Sequence, residues 1–151
     1  MPDLLVNLLK LPPRPSSHAA VIRRAQPFEI GAVRRFISQH FSEDWADETQ
    51  VGFSNKPVSV FIAIYERQIV GFSAYECTRR GFFGPTGVID TARGKGLGKA
   101  LLVEALWGLR DMGYVYAIIG GVGPIEFYEK AVGAIVIPNS EPGIYIDLLK
   151  R

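Results

Sequence analysis

The sequence predicts an α+β fold in which a mixed, mostly antiparallel sheet is flanked by helices. Three observations predict it: short β-rich segments cluster in the first half, one long amphipathic helix follows, and a strand, a short helix and closing strands come last. Strands joined by short links pair antiparallel, whereas strands joined through a helix can lie parallel. We therefore expect an antiparallel meander that leads into one β-α-β unit, rather than a regular doubly wound sheet.

The composition is that of a globular protein with one core. The chain has 151 residues, 48% of them hydrophobic, and its 17 Lys and Arg against 15 Asp and Glu leave a net charge of +2. So small a surplus does not indicate a nucleic-acid surface. The apolar runs are too short for the roughly 20 residues that cross a bilayer. We expect a cytoplasmic protein with neither nucleic acid nor membrane as a partner.

Metal and disulfide chemistry are not expected. Cys77 is the sole cysteine, and His18 and His40 are the two histidines. A single thiol excludes an intrachain disulfide and a cysteine-based zinc site, and it predicts a buried packing role for Cys77. A covalent acyl-cysteine route is not favoured either, because it needs an activating base and the two histidines lie far from Cys77 in the sequence.

Residues 1–18 are predicted to form an N-terminal arm with a proline-rich spacer, ahead of a domain at residues 19–151. Leu4, Leu5 and Leu8 fit the apolar stripe of a short docked helix, and a frayed tail fits equally well. The prolines that follow favour extended backbone.

The first part of the domain is predicted as a strand, a helical segment and three further strands. Residues that recur at helical spacing follow Pro27, and β-branched and aromatic residues fill the next segments. The short polar link at 66–68 predicts a hairpin. The expected strands are residues 19–24, 58–65, 69–77 and 82–90.

The second part is predicted to begin with the long helix at residues 96–112. Leucine and alanine recur there every fourth residue, and Gly113 suits the end of a helix. The next expected elements are a strand at 114–119, a short helix at 124–132 opened by proline, and two closing strands at 134–137 and 144–149.

The segment at residues 93–99 carries the strongest chemical signal. It follows a predicted strand, opens the long helix, and alternates glycine with Arg93, Lys95 and Lys99. Glycines leave backbone N–H groups accessible, and a helix N-terminus adds partial positive charge, so the segment can hold an anion. Three cations within seven residues suit a pyrophosphate better than a single carboxylate.

Two common phosphate motifs fail on spacing. A P-loop needs Ser or Thr after its Gly-Lys pair and a glycine where Arg93 stands, but Ala100 follows Lys99. A dinucleotide fingerprint that begins at Gly94 needs a glycine at position 99. A nucleotide-binding protein of either kind is therefore disfavoured.

The spacing of Arg93, Gly96 and Gly98 resembles the acyl-CoA loop of the GCN5-related N-acetyltransferase (GNAT) family. The predicted order of elements over residues 19–151 is similar to that of the family's fold. The helix after the next strand also carries a familiar run, formed by Phe127, Tyr128, Glu129, Lys130 and Gly133.

The resemblance implies a GNAT-like fold with an acyl-CoA cleft where its fourth and fifth strands splay apart. It also implies that acetyl-CoA is the co-substrate, with no metal, and that loop amides hold the pyrophosphate. The backbone of Val88 and Asp90 is then expected to bind the pantetheine arm. The implied cofactor-binding residues are Val88, Ile89, Asp90, Arg93, Gly94, Lys95, Gly96, Leu97, Gly98, Lys99, Ala100, Gly121, Phe127 and Tyr128.

Tyr128 is the implied catalytic acid, which protonates the departing CoA thiolate. A phenol has an ordinary pKa of roughly 10, above the roughly 8.5 of a thiol, so it stays protonated at neutral pH. A tyrosine on the core face of a helix is also common as a simple packing residue.

The sequence departs from the family pattern at three places. Gly121 and Pro124 stand where the family often has Asn and Ala, and residues 82–88 contain no carboxylate to serve as the general base. Glu76 and Asp90 are the nearest carboxylates at strand ends, and Glu76 is the candidate to assist deprotonation. A base that acts through water is equally compatible with the sequence.

An acidic segment lies where the resembling fold places its acceptor-side helices. Four carboxylates and an indole there could attract a cationic amine, although a solvated helix start explains them as well. The residues are Glu43, Asp44, Trp45, Asp47 and Glu48.

The predicted function is transfer of acetyl from acetyl-CoA to a primary amine by direct attack in a ternary complex. The alternative is a catalytically silent module that binds or senses acyl-CoA. The amine-bearing acceptor stays open among a small metabolite, an antibiotic-like amine, a peptide N-terminus and a protein lysine. The apolar arm or the last strand could support a homodimer.

Overall fold

A computed structural model describes residues 1–15, 19–121 and 123–150. Within these ranges seven strands form one sheet in the order β2-β3-β4-β5-β6-β1-β7. All neighbouring strands run antiparallel except β5 and β6, which are parallel. The strands are β1 (Leu4–Asn7), β2 (Val21–Arg24), β3 (Val60–Tyr65), β4 (Gln68–Tyr75), β5 (Phe82–Val88), β6 (Tyr116–Ile119) and β7 (Ile135–Val136).

Four α-helices of the described ranges cover the two faces of the sheet. They are α1 (Ile30–His40), α2 (Glu43–Gln50), α3 (Leu97–Asp111) and α4 (Ile125–Val132). One apolar core contains the buried residues of α3 and α4, and a second contains those of α1 and α2. The predicted α+β class with a mostly antiparallel sheet is therefore confirmed.

Helix α3 is the main packing element on its face. Leu101, Leu102, Leu106 and Leu109 are fully buried, and burial of each leucine side chain contributes about 1.5–3 kcal/mol to the free energy of unfolding. At Gly108 an added Cβ would lie 2.5 Å from the ring of Tyr75. The glycine thus lets the helix approach the sheet closely.

The helix ends follow the signals in the sequence. Helix α3 begins after Gly96 at φ 76°, and α4 begins after Pro124 and ends at Gly133 with φ 66°. Ser42 caps α2, because its hydroxyl accepts a hydrogen bond from the Trp45 amide at 3.1 Å. The predicted helices after Pro27, at 96–112 and at 124–132 are confirmed to within a few residues.

The N-terminal arm forms strand β1 followed by one 3-10 turn at Leu8–Lys10, so the predicted amphipathic helix through Leu4, Leu5 and Leu8 and the frayed tail are both wrong. Strand β1 lies between β6 and β7 and pairs Leu4 with Ile119 and Asn7 with Tyr116. Leu4 and Val6 are fully buried, which is the alternation of a strand. The edge of β6 offers backbone partners that a helix could not use, and this long-range pairing decides the conformation. The end of the predicted spacer, residues 16–18, lies outside the described residues.

The predicted strand at 144–149 is also wrong. This segment is irregular, and its side chains are largely exposed, with Leu149 91% exposed. Strand β1 occupies the position beside β6, and β7 at the edge is two residues long. The edge that β7 offers is too short to pair with a strand of six residues. The preceding prediction at 134–137 corresponds to β7.

Candidate active site

The centre of the sheet opens into a cleft, hereafter the strand cleft. Strands β5 and β6 pair at Phe82 with Ile118 and at Phe83 with Ile119, and β6 then ends while β5 continues. Gly120 follows β6, and a Cβ added there would lie 3.1 Å from the Phe82 ring and 3.2 Å from the Tyr145 hydroxyl oxygen. The cavity has a volume of about 340 Å³. Its lining in the described ranges is formed by Met1, Trp45, Glu48, Thr78, Phe82, Phe83, Gly84, Pro85, Thr86, Gly120, Gly121, Gly123, Tyr128 and Tyr145.

The glycine loop, residues 93–99, leads from the far end of β5 into helix α3. Gly94 and Gly96 have φ values of 80° and 76°, in the left-handed region that favours glycine. This bend points the start of α3 out of the sheet. The first-turn N–H groups of Leu97, Gly98 and Lys99 have no partner within the helix, so they can bind an anion.

The cations of the glycine loop lie on its exposed side. The Arg93 Nε atom is 3.3 Å from the Asp90 carboxylate and donates to the Val88 carbonyl at the same distance. The Lys95 ammonium lies 5.5 Å from the centre of the Tyr65 ring. Lys99 is exposed on the first turn of α3. A polyanion at the helix start would therefore meet positive charge on flexible side chains.

Helix α4 joins the glycine loop to the strand cleft. The Phe127 ring is 3.8 Å from the position of a Cβ added at Gly98, and it meets the Tyr128 ring edge-on at 5.0 Å between centroids. Tyr128 is 6% exposed and packs against Phe83 inside the strand cleft. Burial raises the pKa of Tyr128 above its ordinary value. The phenol is therefore a neutral O–H donor in the cavity.

Comparison with solved structures places this geometry in a known fold. The chain is similar to the GCN5-related glucosamine N-acetyltransferase region of a fungal multi-domain GH3 β-N-acetylglucosaminidase, with TM-score 0.73 and 18% identity over 90% of this chain and 19% of that chain. A GCN5-related N-acetyltransferase from Sphaerobacter thermophilus gives TM-score 0.70 and 24% identity, over 90% of this chain and 48% of that chain. The chain thus spans less than half the length of these two proteins.

A third neighbour carries a bound ligand. It is a GNAT family acetyltransferase from Brucella melitensis in complex with acetyl-CoA, with TM-score 0.57 and 20% identity over 74% of this chain and 82% of that chain. The chain has the GNAT fold. Neither a family model nor a curated protein matches the sequence. The splayed strands, fourth and fifth in the resemblance, are β5 and β6 here because β1 precedes them.

The GNAT fold brings most of the sequence-predicted residues to one place. Val88 ends β5 and Ile89 follows it, a 3-10 turn at Asp90–Ala92 leads into the glycine loop, and Phe127 and Tyr128 connect the loop to the strand cleft. The described ranges contain neither a candidate metal site nor a candidate membrane-spanning helix. None of their His, Cys, Asp and Glu side chains cluster in threes as a metal site would need, and none of their helices is long and apolar enough to span a membrane.

The structure explains why a glycine stands at position 121, where the GNAT family often has Asn. Its φ is 55°, and an added Cβ would lie 2.7 Å from the Tyr145 ring. Its N–H donates to the Asp3 carboxylate at 2.9 Å. The N-terminal segment and Tyr145 thus occupy the space that a longer side chain would need.

Glu76, predicted to assist as a base, does not line the strand cleft. Its φ of 58° turns the chain at the end of β4, and its carboxylate accepts hydrogen bonds from the Gly81 amide and, at 3.3 Å, from the Tyr114 hydroxyl. These bonds hold the turn between β4 and β5. The structure therefore does not bring Glu76 together with Tyr128, and the other candidate, Asp90, is exposed beside Arg93.

The acidic segment divides between two surroundings. Glu43 accepts a hydrogen bond from Ser38, and Asp47 pairs with Arg34 at 3.0 Å, so both belong to the surface of α1 and α2. Glu48 and Trp45 instead line the strand cleft. Residue spacing could not separate these roles, because the helix register relative to β5 depends on packing. An added Cβ at Gly87 would lie 2.5 Å from Phe41, which shows how closely this region covers β5.

Met1 and Tyr145 are lining residues that the sequence did not indicate. Asp3 helps to hold both chain ends there: its N–H donates to the Ser140 hydroxyl at 2.9 Å, and its carbonyl accepts from the Ile137 amide. Burial, together with the charges of Glu48 and Asp3, raises the pKa of Tyr145. No local motif marks such residues, since their approach to the cleft depends on contacts across the chain.

Cys77 is buried, as predicted. Its thiol contacts the Tyr75 carbonyl at 3.4 Å, and desolvation raises its pKa to about 12. The thiol is therefore protonated at neutral pH and is a poor nucleophile.

Proposed function

We propose that this chain is an acyl-CoA-dependent N-acyltransferase that transfers acetyl from acetyl-CoA to a primary amine by direct attack in a ternary complex. The single observation that carries the proposal is the connection between the glycine loop and the strand cleft through Phe127 and Tyr128. An anion site and a buried proton donor are thereby joined along one path, which suits a long ligand with a diphosphate at one end.

The loop supports binding of a diphosphate. The first-turn amides of α3 point away from the helix, and Lys95 and Lys99 lie within reach of a polyanion. Beyond Phe83, β5 has no pairing to β6, so its backbone can accept an extended arm as an added strand. Val88 and Asp90 are the proposed contacts for that arm.

The proposed role of the chain is to orient the reactants and to supply a proton. Acetyl-CoA, when bound, supplies an activated thioester carbon. The amine nitrogen forms a bond to that carbon, the carbon–sulfur bond breaks, and the sulfur takes a proton from the Tyr128 hydroxyl. An ammonium group must first lose one proton to solvent, because only the neutral amine has a lone pair for the attack. After the attack the nitrogen releases its extra proton to solvent, and the Tyr128 phenolate takes a proton back from solvent. Raised pKa and burial keep Tyr128 protonated for this step.

A silent acyl-CoA-binding module is the second candidate. The observation that favours it is the sequence of β5, where residues 82–88 carry no carboxylate to accept the proton of the amine. Binding without transfer would use the glycine loop alone and would need no Tyr128 hydroxyl.

Two measurements test the proposal in order. Calorimetry with CoA should detect binding, and CoA but not ATP should raise the melting temperature. An acetyl-CoA-dependent thiol-release assay over a broad amine panel should then show turnover. Failure to bind CoA would overturn both candidates, whereas tight binding with no transfer on any amine would favour the module.

A further inference from the structure

We propose that Glu48 is the residue that binds the ammonium group of the acceptor, and that the acceptor is a small primary amine on an aromatic or apolar body. This inference rests on the proposed function and names its second substrate. The geometry carries it: one carboxylate lines a cavity in which most of the other side chains are aromatic or apolar.

Glu48 is the only charged side chain among the described residues that line the strand cleft. It lies on α2 and is half-buried. The Thr78 hydroxyl donates to its Oε2 atom, which fixes the carboxylate at the cleft wall. Within the described ranges no hydrogen bond occupies Oε1, so this oxygen can accept a bond from an ammonium group.

The surroundings of Glu48 fit a cation. Trp45 lies one turn earlier on α2, stacks on Phe41 at 5.6 Å between centroids, and presents its indole to the same cavity. Tyr145 lies close enough for the Glu48 charge to contribute to its raised pKa. A carboxylate between two aromatic rings attracts an alkylammonium by charge and by cation–π contact.

The apolar walls define the rest of the acceptor. Seven lining residues have aromatic or apolar side chains, namely Met1, Trp45, Phe82, Phe83, Pro85, Tyr128 and Tyr145. The threonine hydroxyls are engaged: that of Thr78 donates to Glu48, and that of Thr86 donates to the Phe72 carbonyl at 3.0 Å. A sugar amine rich in hydroxyls would find few free donors there, whereas an aromatic monoamine would bury its ring.

The test measures amine binding to the protein saturated with CoA, so that it does not depend on turnover. The probe is 2-phenylethylamine, compared by calorimetry with the neutral 2-phenylethanol and with glucosamine. We expect phenylethylamine to bind at least tenfold more tightly than either. Glu48→Gln should weaken its affinity by about tenfold to a hundredfold, the range for a hydrogen bond to a charged group.

Controls separate binding from folding and from the proposed function. Glu43→Gln removes an equal charge from the same helix outside the cleft and should leave amine affinity unchanged. Glu48→Asp, which keeps the negative charge, should keep part of the affinity for 2-phenylethylamine. Both Glu48 variants should bind CoA like the original protein.

An amine affinity in Glu48→Gln equal to that of the original protein, or no amine binding while CoA binds, would overturn the inference. Preferred binding of glucosamine would overturn the proposal that the acceptor has an aromatic or apolar body. Absence of CoA binding would instead overturn the proposed function.

Discussion

The two ends of the candidate site are built in different ways. The glycine loop is one continuous segment, with its bend, cations and helix start all within residues 93–99. The acceptor end of the strand cleft is assembled from Met1, helix α2, the β4–β5 turn and Tyr145, which are far apart in sequence. The cofactor end is therefore a local property of the chain, whereas the acceptor end is a product of packing.

This difference between the two ends indicates which part of the fold can change its ligand specificity most easily. A bend and a helix N-terminus depend on a few adjacent residues, so any fold that keeps them keeps an anion site. The acceptor end changes whenever one of several distant segments changes. Segments of this kind set specificity in many folds, because a rigid sheet positions them.

Removal of the Tyr128 hydroxyl should have the largest effect, since it lies where the two ends meet. We expect Tyr128→Phe to lower kcat by about 100-fold to 10,000-fold, the range for a general acid, with CoA affinity unchanged. Thiol release and calorimetry check this. Tyr116→Phe, at an exposed tyrosine of β6, is the matched control. An unchanged kcat in Tyr128→Phe would leave the tyrosine a packing residue.

A change at the cofactor end should act on CoA alone. Lys99→Ala should weaken CoA binding by about tenfold, because one charge-assisted contact is lost, and should leave amine affinity unchanged. The difference in CoA affinity between Lys99→Ala and the original protein should become smaller as salt is added, because the Lys99 side chain is exposed.

Calorimetry at two salt concentrations measures the effect of Lys99→Ala, with Lys150→Ala as the control of equal charge. A loss of amine affinity as large as the loss of CoA affinity would show that the two ends are not separate.

A change at the acceptor end should act on the amine alone. Tyr145→Ala removes an aromatic wall above Gly121, and we expect the KM of an aromatic amine to rise about fivefold, as loss of one aromatic contact predicts. CoA affinity should not move. Steady-state kinetics check the change against Tyr116→Ala. A rise in the Kd of CoA instead would place Tyr145 at the cofactor end.

The smallest effect is expected away from both ends of the site, at the ion pair between β2 and the start of α1. Both carboxylate oxygens of Glu29 accept hydrogen bonds from Arg23, at 2.8 and 2.9 Å, which with backbone bonding lowers the pKa of Glu29 to about 2. A lowered pKa stabilises the fold above the ordinary value of 4.5, and this stability is lost as pH falls toward 2.

Glu29→Gln should therefore cost about 1 kcal/mol at pH 7, discounted for partial exposure, and less at pH 3. Urea unfolding at the two pH values measures it, with the exposed Glu126→Gln as the control. A cost that does not depend on pH would assign the effect to packing rather than to the ion pair.

Most of the fold could be predicted because its signals are local. Apolar periodicity identified α1, α3 and the hairpin of β3 and β4, and proline or glycine marked the ends of α4. The predictions failed at both termini. The leucines of β1 fit a helix as well as a strand, and only the open edge of β6 distinguishes them.

The candidate site divides in the same way. The glycine loop was predicted from its spacing and Tyr128 from the resemblance to the GNAT family, and the structure joins them through Phe127. Glu76 could not be excluded from sequence, because its engagement with Gly81 and Tyr114 depends on the turn that they share. Tyr145 carried no signal at all.

The sequence by itself determined the class of fold and the glycine bend that opens α3. Each depends on backbone preferences and periodicity within a short stretch, which residues impose on their neighbours. Tertiary structure alone decided that Glu48 faces the cavity while Asp47 faces Arg34, and that Tyr145 covers Gly121. Close packing between segments that are distant in sequence decides which side chain faces the cavity, because a small shift in the register of a helix brings a different side chain to that position.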